Sequence, residues 1–505
     1  MRVLIANRGE IAVRIIRACR EMGLSTVAVY SDCDRDARHV RDADIAVHIG
    51  ANDARSSYLD IDGILRAARA SNADAVHPGY GFLAENAAFA TACDAAGLTF
   101  IGPSADAIAL MGSKTAARTA AKTAGVPVVP GTEAPLPAGA DAGEVARAAE
   151  AVGFPLMVKA VAGGGGKGMR VVESASGLLT AVQTARSEAG SAFGDTAVYL
   201  ERRLTRPRHI EIQLLGDHHG TIVPFVEREC SIQRRHQKVV EESPSLAVTQ
   251  PLRERMAAAA AAVAKSVGYT NAGTIEFLLD EDGSFYFLEM NTRLQVEHPV
   301  TEMVSDVDLV QWQIRIARGE QLDLDPVRAL TPNGHAIECR IYAEDPDQGF
   351  MPSPGLIRGL RAATGPGVRD DGGVVAGYTV PVFYDSMIAK LIAWAPNRSE
   401  AVARMARALA EYQVLGIRTT LPFFLWLLRQ PEYLDGRYDT TYLDRVLAER
   451  RGESFSSFST GEMETIAIAA ALDTVLRGAA DDADRRSARS PSAWTQLARV
   501  EALRG

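Results

Sequence analysis

Residues 1–112 alternate short apolar runs with amphipathic stretches, and this alternation restricts the fold more than any other feature of the 505-residue chain. The spacing predicts a strand over 3–6, a turn at Asn7-Arg8-Gly9, and a helix over about 10–22 with Ile11, Ile15, Ile16, Cys19 and Met22 on one stripe. Gly23 stops that helix, and a strand over 26–30 follows. The cycle returns with a strand over 73–76, a helix near 85–96, and a strand over 99–101 that runs into Gly102-Pro103-Ser104. Strands joined by helices pair in parallel, and the helices then cover both faces of the sheet.

The expected class is therefore α/β (α+β overall), with a Rossmann-like domain over 1–112. Its first turn, Asn-Arg-Gly-Glu, lacks the Gly-x-Gly-x-x-Gly that lets a pyrophosphate approach the backbone, so a dehydrogenase reading loses its main support. A run rich in Pro, Gly and Ala over 131–143 leads into a second unit. There a strand over 156–160 passes through Gly163-Gly164-Gly165-Gly166-Lys167-Gly168 into a returning strand over 169–172. Strands over 209–214 and 221–226, an alanine-rich helix over about 251–267, and a hairpin with arms 274–279 and 284–291 complete it. A third region over about 332–447 mixes short strands with a helix over 399–412, and 454–459 reads as a linker before a tail. In the tail, Ile466, Ala469, Ala470, Leu472 and Leu476 form one apolar stripe, and Trp494, Leu497 and Leu503 form a second.

At about 150 residues per domain the length allows roughly three domains. A net charge of −9, from 54 Lys+Arg against 63 Asp+Glu, argues against a broad footprint on nucleic acid. The cysteines at 19, 33, 93, 230 and 339 contain no Cys-x-x-Cys pair and point to a reducing cytoplasm. The longest apolar runs, 256–264 and 421–428, fall short of the roughly 20 residues of a membrane span. Only Lys114, Lys122, Lys159, Lys167, Lys238, Lys265 and Lys390 interrupt an otherwise all-arginine set of cations. An ammonium is a compact point charge and a guanidinium a planar fork, so each surviving lysine is a candidate for a site that needs the former.

A glycine loop ending in lysine can cradle phosphate, but it fails the P-loop template and is equally a plain hairpin tip. The 274–291 hairpin is more informative. Alternation places Glu289 and Asn291 on one face with Glu276 opposite Glu289, a hard-oxygen set suited to Mg²⁺ (or Mn²⁺), while Phe277, Phe285 and Phe287 mark the other face as core. Arg293 and Glu297, four apart, make either an anion site with an adjacent base or an ordinary surface pair. Gln233, His236 and Lys238 gather in one short segment, with His209 before it.

Taken together, the motifs resemble the biotin carboxylase family of ATP-grasp enzymes from residue 1 to about 447. They are Ile5-Ala6-Asn7-Arg8-Gly9-Glu10-Ile11-Ala12, residues 77–86 (His-Pro-Gly-Tyr-Gly-Phe-Leu-Ala-Glu-Asn), the 163–169 loop, Arg206-Pro207-Arg208-His209-Ile210-Glu211, residues 289–302, and Tyr384-Asp385-Ser386-Met387-Ile388-Ala389-Lys390-Leu391. Ala162, where some members carry glycine, is a small departure. The resemblance implies an ATP-grasp domain over 113–330 with a mobile lid at about 131–203 hinged near Tyr199, a mixed α+β C-terminal domain over 331–447, and a linker and helical tail over 448–505. It implies that ATP phosphorylates bicarbonate and that the carboxyphosphate then carboxylates the ureido N1′ of biotin. Lys114, Lys159, Gly163, Gly164, Gly165, Gly166, Lys167 and Gly168 would hold ATP phosphates, with Glu201, Arg202 and Leu204 at the adenine. Glu276, Glu289 and Asn291 would carry the metal, and Arg293, Gln295 and Val296 the bicarbonate. Glu297 would be the base, with Arg293 orienting substrate beside it, and Arg340 would steady developing negative charge. His209, Gln233, His236, Lys238 and Tyr80 would line the meeting point of phosphate and biotin.

The competing readings are another ATP-grasp ligase that makes an acyl phosphate, such as a carbamoyl-phosphate synthetase half, and a nucleotide-binding regulatory subunit without turnover. The first shares the loop and the hairpin but not residues 77–86 and 293–302. No lysine is flanked by methionine as in a biotinylated carrier, and 448–505 is too short for a carboxyltransferase. Biotin is therefore expected on a carrier protein belonging to another chain, with the carboxyltransferase on a further subunit. The chain itself is expected in a homodimer or larger assembly, with no nucleic acid and no membrane.

Overall fold

The computed structural model describes residues 1–137, 139–161, 168–455, 461, 463–472 and 474–475. The N-terminal alternation yields a five-stranded parallel sheet in the order Ile45–Gly50, Ser25–Ser31, Arg2–Ile5, Ala75–His77, Thr99–Phe100. The helix Gly9–Glu21 buries Ile11, Ile15, Ile16 and Cys19, so the predicted stripe is its inner face. Met22 is the C-cap instead of part of the helix, and Gly23 at φ 68° completes the stop. The strand Ile45–Gly50 and the helix Ile61–Ala70 were not foreseen; that strand is an edge, and its residues are at most half-buried.

The second sheet is antiparallel and runs Phe285–Asn291, Asn271–Leu279, Arg208–Gly216, Arg228–Arg234, Gln237–Ser243, His335–Tyr342, Met387–Ala395, Val368–Gly372. It passes without a break across residue 330, from the region of the metal hairpin into the C-terminal strands. Residues 231–238, read from sequence as one short segment, are two strands joined by Arg235 and His236, both at positive φ (51° and 66°). That backbone is the two-residue hairpin turn whose twist matches the strands, here without the usual Asn-Gly.

A third, three-stranded antiparallel sheet holds Leu156–Ala160 between Met169–Val172 and Val198–Arg202. It has its own core, with Val145 and Ala149 from the helix Ala142–Val152 and Leu178, Val182 and Ala185 from the helix Leu178–Phe193. Tyr199, expected at a hinge, is paired with Lys159 in mid-strand, where ladder hydrogen bonds fix the backbone. Gly168, just before the returning strand, has φ 72°, and a Cβ there would meet Ala160 Cβ at 2.7 Å. Residues 162–167 lie outside the described residues.

The chain divides into the units Met1–Glu453 and Ser454–Gly505. Within the second, residues 463–472 are helical, and Leu476, Trp494, Leu497 and Leu503 lie outside the described residues. No helix among the described residues is long and apolar enough to cross a membrane.

Candidate active site

The hairpin Asn271–Leu279/Phe285–Asn291 carries the acids. Its register pairs Glu276 with Glu289 and Thr274 with Asn291, then slips, so that Phe277 faces Phe287. Strict alternation would put Phe285, Phe287, Glu289 and Asn291 on the same side. The extra residue of a β-bulge at Leu288 reverses the parity, burying Phe285, Phe287 and Met290 in the core while Leu288, Glu289 and Asn291 line a cavity.

That cavity, about 580 Å³, opens between the three-stranded sheet and the long antiparallel sheet. Lys114, Lys159, Glu201, Arg202 and Leu204 line one part of its wall. His209, Gln233, His236, Lys238 and Glu276 line another, and Arg293, Gln295, Val296, Glu297 and Arg340 a third. Of the described residues singled out from sequence, Tyr80 and Gly168 are not part of the wall. The Tyr80 ring lies 5.7 Å from the Lys390 ammonium, and the Tyr80 backbone carbonyl accepts a hydrogen bond from Asn7 Nδ2 at 2.7 Å.

Lys238 Nζ is the hub of the wall. It donates to Glu211, to Glu276 Oε1 at 2.8 Å and to Glu297 Oε1 at 2.6 Å. Burial alone would discharge this ammonium, but the three carboxylates outweigh it and hold its pKa well above the usual lysine value. Burial would likewise favour a protonated Glu297, and Lys238, Arg340 and Arg228 overcome it, holding Glu297 well below the carboxylate range. Arg340 Nη2 lies 2.9 Å from Glu297 Oε2 and 2.5 Å from Glu241 Oε1, bridging two buried acids. Of the two readings left open by the spacing, the Arg293–Glu297 surface pair does not form. The segment is not helical, so four-residue spacing brings no contact, and Arg293 binds Glu85 Oε2 at 2.8 Å and Asn291 Oδ1 at 3.0 Å. The groups that acidify Glu297 come from neighbouring strands instead.

Glu289 behaves in the opposite way. Burial first, and then the charge of Glu276, raise its pKa. Glu276 itself is already held by Lys238, by His209 Nε2 at 3.0 Å and by Asn291 Nδ2 at 2.9 Å. Two facing carboxylates with one left uncompensated are a donor set that a divalent cation relieves, so the residues fit Mg²⁺. Two other acid clusters, His209/Glu211/Glu276 and Glu211/Cys230/Glu297, already enclose Lys238 or Arg228. At the other end, Lys159 and Arg118 both pair with Glu201, and burial lowers the pKa of Lys114.

Sequence reasoning assigned no role to Glu211, Arg228, Glu241 or Glu85. Arg228 is fully buried beside Glu211 and donates to Gln295 Oε1 at 2.7 Å, while Gln295 Nε2 donates to Glu276 Oε1 at 2.8 Å. An arginine and a glutamate inside apolar strands carry no spacing signature; the register Arg228↔Glu211↔Glu276 across the sheet is what joins them.

Residues 1–108 match the family model "Biotin carboxylase, N-terminal domain", 113–325 match "Carbamoyl-phosphate synthase L chain, ATP binding domain", and 338–445 match "Biotin carboxylase C-terminal domain". The chain is 51% identical to the biotin carboxylase of Nostoc sp. over 445 residues, covering 88% of this chain and 99% of that protein. It is 50% identical to biotin carboxylase 1 of Bacillus subtilis over 444 residues, 88% and 98% of the two. Among solved structures, a biotin carboxylase–beta-gamma-ATP complex from Campylobacter jejuni superposes with a TM-score of 0.84 at 46% identity, covering 88% of this chain and 98% of that one. The biotin carboxylase domain dimer of Hydrogenobacter thermophilus 2-oxoglutarate carboxylase, in complex with MgADP, ADP and bicarbonate, gives 0.85 at 46% identity over 91% and 99%.

Proposed function

This chain belongs to the biotin carboxylase family, and from that premise we propose how its residues divide the work. The activity is that of an ATP-dependent ligase: ATP- and bicarbonate-dependent carboxylation of biotin carried by a separate protein. Our reading assigns Lys114, Lys159 and the Gly163–Gly168 loop to the ATP phosphates and Glu201, Arg202 and Leu204 to the adenine end. Glu276, Glu289 and Asn291 would hold Mg²⁺, which supplies charge neutralisation on the transferring phosphoryl group.

Arg293, Gln295 and the Val296 backbone would cradle bicarbonate beside Glu297. As the anion enters it shares the donors of Lys238 and Arg340, which loosens their grip on Glu297 and lets that carboxylate accept the bicarbonate proton. The deprotonated oxygen then takes the γ-phosphoryl group of ATP, ADP leaves, and carboxyphosphate results. The C–O bond to phosphate in carboxyphosphate then breaks, the released phosphate takes the N1′ proton of biotin and N1′ takes the carboxyl carbon, while Arg340 would steady the negative charge on phosphate and on the ureido oxygen. His209, Gln233, His236 and Lys238 would border this meeting point. The observation that carries the reading is one carboxylate, Glu297, held by Lys238 and Arg340 in the same cavity as the Glu276–Glu289 pair.

We further propose that the chain works with a carrier chain, a carboxyltransferase chain and a second copy of itself, in the cytoplasm; its five free cysteines accord with a reducing compartment. The test is labelled bicarbonate with free biotin. Acid-labile label should be fixed on biotin only when ATP and Mg²⁺ are both present, and fixation independent of ATP would refute the reading.

A further inference from the structure

Lysine is the exceptional cation in this chain, and among the described residues the functional reading absorbs Lys114, Lys159 and Lys238 but leaves Lys122, Lys265 and Lys390. Lys122 and Lys265 are exposed, whereas Lys390 is fully buried. It stands on the strand Met387–Ala395 with Arg340 and Asp371 as its register partners on either side, so it leaves the sheet on the face that carries Arg340. Its Nζ donates to the carbonyl oxygen of Val296 at 2.9 Å and lies 3.2 Å from Glu10 Oε2 and 3.9 Å from Asp371 Oδ2. The Tyr80 ring lies 5.7 Å away.

A pair made only to tie the helix Gly9–Glu21 to the C-terminal sheet could use arginine, as this chain does almost everywhere else, including Arg14 with Glu302 and Arg8 with Asp34. What a planar fork does not provide is a compact single donor to one carbonyl in a closed space. The carbonyl that Lys390 holds belongs to the planar peptide that also contains the Glu297 N–H. Fixing that plane fixes the point from which the Glu297 side chain leaves the chain, two residues after Gln295.

We infer that Lys390 is a positioning residue for the bicarbonate half of the cavity, setting the pose of Arg293 to Glu297 through the Val296 carbonyl. This rests on the reading of that segment as the bicarbonate cradle. Glu10 and Asp371 are the two carboxylates that face the buried ammonium, and the nucleotide half of the cavity does not depend on Lys390 or Glu10.

Steady-state kinetics on the full chain decide it, with KM for bicarbonate and for ATP measured separately on Lys390→Met, Glu10→Gln and the double variant, alongside melting curves. Lys390→Met should raise the bicarbonate KM about 10- to 100-fold, the scale of a misplaced reacting group, with the ATP KM unchanged. Glu10→Gln keeps the bond to Val296 and should keep the wild-type bicarbonate KM. The double variant removes the Lys390 and Glu10 charges together and leaves Asp371 paired with Arg369, so it should fold and reproduce the Lys390→Met kinetics. A folded double variant with normal bicarbonate KM overturns the inference. So does an equal rise in both KM values, or a double variant that does not fold, which would assign Lys390 to the fold alone. Wild-type ATP cleavage indifferent to bicarbonate would instead overturn the functional reading.

Discussion

Glu297 and Glu289 are buried carboxylates in one cavity, yet their surroundings hold their protons oppositely, because Glu297 faces Lys238 and Arg340 while Glu289 faces another glutamate. Glu297→Gln keeps the shape and removes the base, so turnover should fall by about 10²- to 10⁴-fold while ATP affinity, measured by calorimetry, stays unchanged. Equal loss of ATP binding would move Glu297 into the nucleotide site. Asp34 gives the pH counterpart. Burial opposes its charge, but Arg8 Nη2 at 2.7 Å and Tyr58 at 2.7 Å outweigh it and lower its pKa to about 2. A depressed carboxylate stabilises the fold above its unfolded pKa, and that contribution is lost as pH falls through the folded value. Asp34→Asn should therefore cost roughly 3–5 kcal/mol at neutral pH, by denaturant titration, and progressively less between pH values of about 4 and 2. A deficit independent of pH would show that the charge is not what matters. At this scale the motifs in the sequence named side chains that the fold brings to one cavity. The sequence did not reveal Arg228, Glu211 or Glu241, whose roles arise only from strands brought together in register, nor the true partner of Arg293.

The 271–291 hairpin shows how an element turns residues into a site. Facing carboxylates were foreseen by alternation, but alternation alone contradicts a core made of Phe285 and Phe287, and the bulge at Leu288 resolves the conflict. Because Glu289 is left without full compensation, Glu289→Gln should raise the melting temperature of the nucleotide-free protein while raising the Mg²⁺ requirement of ATP cleavage at least about tenfold. A variant with both properties unchanged would place the metal elsewhere. The three-stranded sheet over 156–202, with its separate core, is the element that would move. ATP should slow hydrogen exchange in Leu156–Ala160 and Met169–Val172, since Lys159 and Glu201 face the cavity where the nucleotide is proposed to bind. Exchange equally fast with and without ATP would contradict a closing lid. Tyr199, near which the hinge is expected, is paired in a strand, and an aromatic residue after a loop gives no sign of that pairing.

Across Met1–Glu453 the parallel N-terminal sheet was legible from the first strand–helix–strand, because period alone separates strand from helix there. The long antiparallel sheet was not, since its neighbours 243 and 336, or 211 and 276, are far apart in sequence and no local pattern pairs them. That sheet is what lets the acids of the hairpin, Lys238, and Arg340 share one cavity with the Glu297 segment, and the central claim is that this single cavity completes both steps of biotin carboxylation. The direct measurement is ATP cleavage by the purified chain with Mg²⁺ and bicarbonate, in the presence and absence of free biotin. The account predicts slow cleavage that depends on bicarbonate and accelerates when biotin is added; cleavage unaffected by biotin would contradict it.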